Sequence, residues 1–222
     1  MGTGRIIVES GGDKRLFETL IPLLVPSTDM KRRPEFEDEV KKTGRPAAIQ
    51  RYVNQAGDVL ARKHLLAVDL DDDSPDTLLQ AVKDVARKSG FDEDVATKGL
   101  IKGLGLPGDE FLKGYGVTSF AIEDYLFKLV MDPEVFEILK KAERIKVSFD
   151  VVSRKVTAIR EKLVDNGIEV SRSKHLLKIF QVASGWLVGP GELASRIIEK
   201  APGKKLEEVF EGVSPVLREW LK

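Results

Sequence analysis

The rhythm of apolar and polar positions changes near residue 130. Before it, short unbroken apolar runs alternate with stretches in which apolar residues recur every three or four positions; after it only the second pattern remains. "RIIVES" (5–10) predicts a buried strand. Gly11-Gly12 is turn chemistry, and Leu16, Phe17, Leu20 and Leu24 then predict a helix. Residues 26–38 are polar and irregular. "DEVKKTGRP" predicts a short strand ending at Gly44, and Ile49, Val53, Ala56 and Leu60 predict a helix over 47–61. "HLLAV" (64–68) is a second strand. Ser74-Pro75 reads as the cap and first turn of a helix over 76–89 that stops at Gly90. "GLIKGLGLPG" (99–108) predicts a strand and loop, and "SFAIEDYLFKLV" (119–130) a helix with two carboxylates in its middle.

Beyond residue 132, Val152, Val156, Ile159 and Leu163 mark one helix face, ended by Asn166-Gly167. Leu176, Phe180, Ala183 and Leu187 mark another, ended by "GPG" at 189–191, and shorter helices follow around 191–200, 205–212 and 214–221. Alternating strands and helices call for an open α/β sheet, mostly parallel and flanked by helices. The predicted organisation is therefore an α/β domain over 1–130 and an α-helical C-terminal subdomain over 131–222.

Composition changes this picture little. The 222 residues contain no cysteine, which excludes disulfides, thiolate metal sites and a cysteine nucleophile. No apolar run reaches the roughly 18 residues of a membrane span, and no signal-peptide core opens the chain, so a cytoplasmic location and no membrane partner are expected. Net charge is zero, but 19 Lys and Arg stand against 22 Asp and Glu up to residue 130, and 17 against 14 beyond it.

The acidic residues are not scattered evenly. "HLLAVDLDDDS" (64–74) drives an apolar strand into four aspartates, and Glu9 stands at the end of the first strand. Like carboxylates this close repel unless a cation or hydrogen-bond donors hold them. In open α/β sheets, ligands bind outside the carboxyl ends of the strands. Were the segment extended, Asp69 and Asp71 would face one pocket, with Leu70 turned to the core. All-oxygen carboxylate groups suit hard cations such as Mg²⁺ or Mn²⁺.

"IIVESGGD" followed by "LLAVDLDDD" resembles the Toprim domain, in which a strand ending in Glu and a glycine turn precede a later strand ending in Asp-x-Asp. The family usually carries Gly after the Glu; here it is Ser10. "EVKKTGRPAAIQRYV" is similar to the family's intervening strand, turn and helix, with one glycine where two are common. "FAIEDYLF" resembles the "IEN-Y-L" helix of OLD-type Toprim nucleases, with Asp124 in place of Asn. The resemblance spans roughly 5–130 and implies a Toprim-like Rossmannoid sheet. It also implies that Asp69 and Asp71 bind a first divalent metal, that Glu9 is a ligand or general acid/base beside it, and that Asp13 and Glu123 complete a second metal site. Lys14 and Lys102 are the candidates for neutralising charge in the transition state.

The implied activity is metal-dependent phosphodiester chemistry on DNA or RNA, foremost as a small nuclease. The alternatives are a non-catalytic nucleic-acid-binding adaptor in the manner of RecR-type proteins, and a minimal primase-like nucleotidyltransferase. A homodimer formed through the helical tail is a further expectation. Two basic groups are candidate phosphate contacts: Lys31-Arg32-Arg33, and Arg172, Lys174, His175 and Lys178. His64, Trp186 and Trp220 read as structural.

Overall fold

The computed structural model describes residues 4–27, 29–31, 34–36, 44–56, 64–97 and 99–222. The chain divides into two compact units, residues 1–104 with 211–222, and residues 105–210. The division does not follow the predicted boundary at 130, for reasons the packing of each unit makes plain.

The first unit is built on four parallel strands, β1 (Gly4–Ile7), β2 (Pro34–Phe36), β3 (His64–Asp69) and β4 (Leu100–Leu104), in the order β2-β1-β3-β4. The α/β class expected from the alternation is the one observed. β3 is central and buried from His64 to Val68, which is why it reads as an unbroken apolar run. Its register puts Leu66 beside Ile7 on one side and Asp69 beside Leu104 on the other. β2 falls inside the stretch predicted to be irregular. It is a three-residue edge strand beginning with a proline and half-buried throughout, so it carries no apolar signature. Residues 38–43, most of the strand expected in "DEVKKTGRP", lie outside the described residues.

The helices of this unit are α1 (Gly11–Leu24), α2 (Arg45–Ala56), α3 (Pro75–Lys88), α4 (Glu93–Thr97) and, from the far end of the chain, α12 (Ser214–Leu221). Crossovers between parallel strands are right-handed. α1 therefore covers one face of the sheet, and α2 and α3 cover the other. Ser10 caps α1, and Ser74 with Pro75 at the first position caps α3, each cap being worth about 1 kcal/mol. α12 packs on β4 and is tied to α1: the Arg218 guanidinium donates to the Leu24 carbonyl (3.3 and 3.4 Å), and the Lys31 N–H to the Leu221 carbonyl (3.0 Å). Leu217, Trp220 and Leu221 of α12 are fully buried.

The second unit is helical: α5 (Glu110–Gly114), α6 (Glu123–Val130), α7 (Pro133–Ala142), α8 (Phe149–Asp165), α9 (Ser173–Ser184), α10 (Pro190–Lys200) and α11 (Gly203–Val209). Tyr125 of α6 stacks on Phe210 with centroids 4.6 Å apart and donates its hydroxyl to the Gly105 carbonyl (2.9 Å). These contacts draw 105–130 into the helical unit and move the boundary from 130 to 104. α6 is shorter than predicted because Ser119 forms a bridge with Arg172 before the helix starts. α9 ends at Gly185 in the left-handed region (φ 71°), so Leu187 is not on its buried face as expected and is 74 % exposed. Among the described residues no helix is long and apolar enough to cross a membrane.

Candidate functional site

The strand order reverses direction between β1 and β3, and such a reversal opens a crevice at the carboxyl ends of the two strands. The acidic motifs meet at this point. β1 stops at Ile7, so Glu9 belongs to the turn into α1 and does not end the strand. From there its Oε1 accepts the Asp69 N–H at 2.9 Å. The Gly44 N–H in turn donates to the Glu9 carbonyl (3.1 Å), and the Arg51 guanidinium to the Val8 carbonyl (2.6 Å). The ends of β1 and β3 are thus fastened to each other and to α2.

Two features of sequence fix "DLDDD" in place. The Leu70 N–H continues the sheet to the Leu104 carbonyl (2.9 Å), and the Leu70 side chain lies flat against Gly103. A Cβ at residue 103 would stand 2.3 Å from Leu70 Cδ2, so only glycine admits this approach. The chain then leaves extended conformation. The Asp73 N–H donates to the Leu70 carbonyl (2.9 Å), and Asp71 takes a left-handed φ of 51°. The alternation argument for Asp69 and Asp71 therefore does not hold: β3 ends at Asp69, and a tight turn re-aims Asp71. Leu70 is core, as expected.

The electrostatics show which carboxylates this turn brings together. The Glu9 carboxyl is pushed up to about 7, chiefly by burial and further by the charges of Asp13 and Asp71; the Asp69 N–H and the Arg45 guanidinium pull the other way. Asp13 is raised as well, by burial, against hydrogen bonds from Ser10. Ser10 explains its own departure from the family pattern. It caps α1 by accepting from the Asp13 N–H (3.3 Å), and its hydroxyl donates to Asp13 Oδ2 (2.9 Å), a reciprocal pair that glycine would lose. Asp13 thus has a structural duty beside any functional one.

The remaining expected residues have settings of their own. Lys14, in the first turn of α1, has its ammonium 3.9 Å from Glu18. Lys102 sits in β4 opposite Ala67, half-buried, with its ammonium beside Gly212; burial lowers its pKa. The charges that shift Glu9 are Asp13, Asp71 and Arg45, not either lysine. Glu123 belongs to the second unit, where it opens α6 rather than standing mid-helix. The carboxylate buried on that helix is its neighbour Asp124, fully enclosed and accepting from Ser173 Oγ (2.6 Å), the Leu106 N–H (3.0 Å) and the Ala121 N–H (3.2 Å). Tyr115 packs with Phe111 and Phe127, and Tyr125 with Phe210.

Arg45 is the residue the sequence reading passed over. It is the first residue of α2, where the helix dipole disfavours a cation. That misplacement was the available signal that an anion waits nearby. Its Nη1 donates to the Leu70 carbonyl (2.8 Å) and weakly to that of Asp69 (3.4 Å), while Nη2 pairs with the Asp73 carboxylate.

The basic groups have separate settings. Arg32 and Arg33 lie outside the described residues; Lys31 lines a cavity of about 410 Å³ with Asp29, Arg218 and Lys222. Around the start of α9, Lys174, Lys178 and Arg172 surround His175, whose pKa is lowered first by burial and then by these cations.

Among the described residues, no three His, Cys, Asp or Glu side chains stand close enough together to enclose a metal ion. The donor set at the switch point is nonetheless hard and acidic. It fits a Mg²⁺ that takes one or two carboxylates and keeps its waters or a phosphate for the rest, and does not fit an all-protein cage. No protein-family model, no curated protein and no solved structure matches this chain.

Proposed function

We propose that the chain is a small Toprim-like protein that holds Mg²⁺ or Mn²⁺ at the β1/β3 switch point and carries out phosphodiester chemistry on nucleic acid, foremost as a nuclease. The observation that carries this reading is the convergence of Glu9, Asp13 and Asp71 on one half-buried crevice, where the charges of Asp13 and Asp71 push the Glu9 carboxyl up. Glu9 and Asp71 would hold the ion, with Asp69 beside them. When bound, the ion would polarise a phosphate oxygen and offset the charge that develops during displacement. Standing beside the ion rather than on it, Glu9 would instead suit proton transfer to or from an attacking water or leaving oxygen, its carboxyl being pushed up to about 7. The N-terminus of α1, turning out of Gly11-Gly12, offers backbone N–H groups to a phosphate.

A second reading, the non-catalytic adaptor, draws on different observations. Asp13 is engaged in capping α1, Asp73 is neutralised by Arg45, and no three-carboxylate group forms among the described residues. In that case the crevice holds an ion or a partner's basic side chain without cutting.

The test is Mn²⁺ binding by calorimetry, on the wild type and on Asp69→Ala/Asp71→Ala, with a labelled pool of DNA and RNA alongside. Metal-dependent cleavage lost in the double variant supports the nuclease, and the strand cut names its substrate. Binding without cleavage favours the adaptor. No binding, even with nucleic acid present to complete the coordination, defeats the nuclease and the ion-holding adaptor, and leaves only a crevice that takes a partner's basic side chain.

A further inference from the structure

Arg45 reaches the acidic turn from the start of α2. Its guanidinium grips the Leu70–Asp73 turn at both ends, through the Leu70 carbonyl at 2.8 Å and the Asp73 carboxylate. Within that turn Asp71 has a left-handed backbone, which L-residues other than glycine adopt at a cost. A strained turn persists only when its surroundings over-determine it. The Asp73 N–H closes the turn onto the Leu70 carbonyl, and that same carbonyl is the one Arg45 holds. One residue earlier, the Gly44 N–H holds the Glu9 carbonyl at 3.1 Å. Two consecutive residues of α2's start therefore fix both carboxylate-bearing segments. The planar fork of arginine serves a carbonyl and a carboxylate together, which a lysine ammonium does not reproduce.

We propose that Arg45 is the positioning residue of this site: it holds the Leu70–Asp73 turn in the shape that brings Asp71 to Glu9, and its positive charge favours the ionised form of Glu9. The consequence for metal binding rests on the reading of the crevice as a cation site; the control of Asp71's backbone does not.

Two readouts separate these parts. The first is the Asp71 backbone in the metal-free protein, followed by its ¹³Cα shift and the coupling between its amide and α protons. Wild type should give left-handed values, and Arg45→Lys and Arg45→Ala should lose them, while the signals of β3 residues such as Leu66 stay unchanged. The second is Mn²⁺ affinity by electron paramagnetic resonance, which should fall about tenfold or more in Arg45→Lys, as expected when a residue orienting a ligand is removed. Asp72→Ala is the control that moves neither. Should Arg45→Ala fail to fold, Arg45→Lys decides alone. If a folded Arg45 variant keeps Asp71 left-handed, the positioning role is wrong, whatever the metal does. If Asp71 moves but Mn²⁺ affinity matches wild type, its link to the cation site is wrong. If the wild type itself binds no Mn²⁺, the site reading fails, and the Asp71 signals still decide the role of Arg45.

Discussion

Of the carboxyl groups that burial raises in pKa, Asp124 and Glu9 have been treated in opposite ways. Asp124, in the helical unit, is fully enclosed, and three donors close around its two oxygens. Glu9, in the sheet unit, is half-buried, with one backbone N–H on its carboxylate and two further carboxylates pressing on it. The first is a finished structure: it joins the α6 start, the segment after β4 and the α9 start, and it has no access to anything else. The second is left incomplete at a place where ligands reach open sheets. Burial alone does not distinguish structural from functional carboxylates. The supply of donors does.

The comparison can be broken most directly at Asp124. Asp124→Ala leaves Ser173 and two backbone N–H groups without an acceptor, and should cost about 3–4 kcal/mol in urea unfolding. Mn²⁺ binding by any population that remains folded should be unchanged. A loss under 1 kcal/mol would mean that Asp124 is not a structural lock, and the contrast would fall.

Gly103→Ala is the next largest. Its Cβ would displace Leu70, at a cost of about 1–3 kcal/mol. It should weaken Mn²⁺ binding as well, because Leu70 anchors the acidic turn. Ala86→Gly in α3 serves as a destabilised comparison that should leave the metal alone.

Glu9→Gln should act in the reverse sense to Asp124→Ala. The amide oxygen can still accept the Asp69 N–H, and the repulsion from Asp13 and Asp71 is gone. The apo protein should gain stability at pH 8, on the order of 1 kcal/mol once solvent screening of a half-exposed group is allowed for. The sign follows from the raised pKa. Between about 4.5 and 7 the folded state keeps a proton that the unfolded state has released, so wild-type stability falls as pH rises through that window and levels off above it. The Gln variant should lack that slope, and its Mn²⁺ binding should be lost. A wild type with a flat profile from pH 5 to 8 would leave Glu9 an ordinary surface carboxylate.

The central sheet was legible because β1, β3 and α3 carry their burial in their sequence: an apolar run where both faces are covered, and Leu78, Val82 and Ala86 on one helical stripe. β2 was not, since an edge strand with a proline has no pattern to read. The acidic site was legible as composition at strand ends and illegible as geometry. Nothing in "DLDDD" announces a left-handed Asp71, because that shape is dictated from Gly103, thirty-two residues on, and from Arg45, well before it. Glu123 and Asp124 show the same limit. Adjacent carboxylates in an apolar helix look alike in sequence, and which one turns inward depends on where the helix begins.

The return of α12 to β4 carries a consequence for how the molecule is made. The sheet unit is interrupted by residues 105–210 and completed only by 211–222. On the ribosome, the strands, α1 and α3 must therefore wait, with the surface that receives Trp220 and Leu217 uncovered, while the whole helical unit is synthesised and free to fold. A chain cut before residue 211 would spare the unit just upstream of the cut and injure the sheet unit upstream of that.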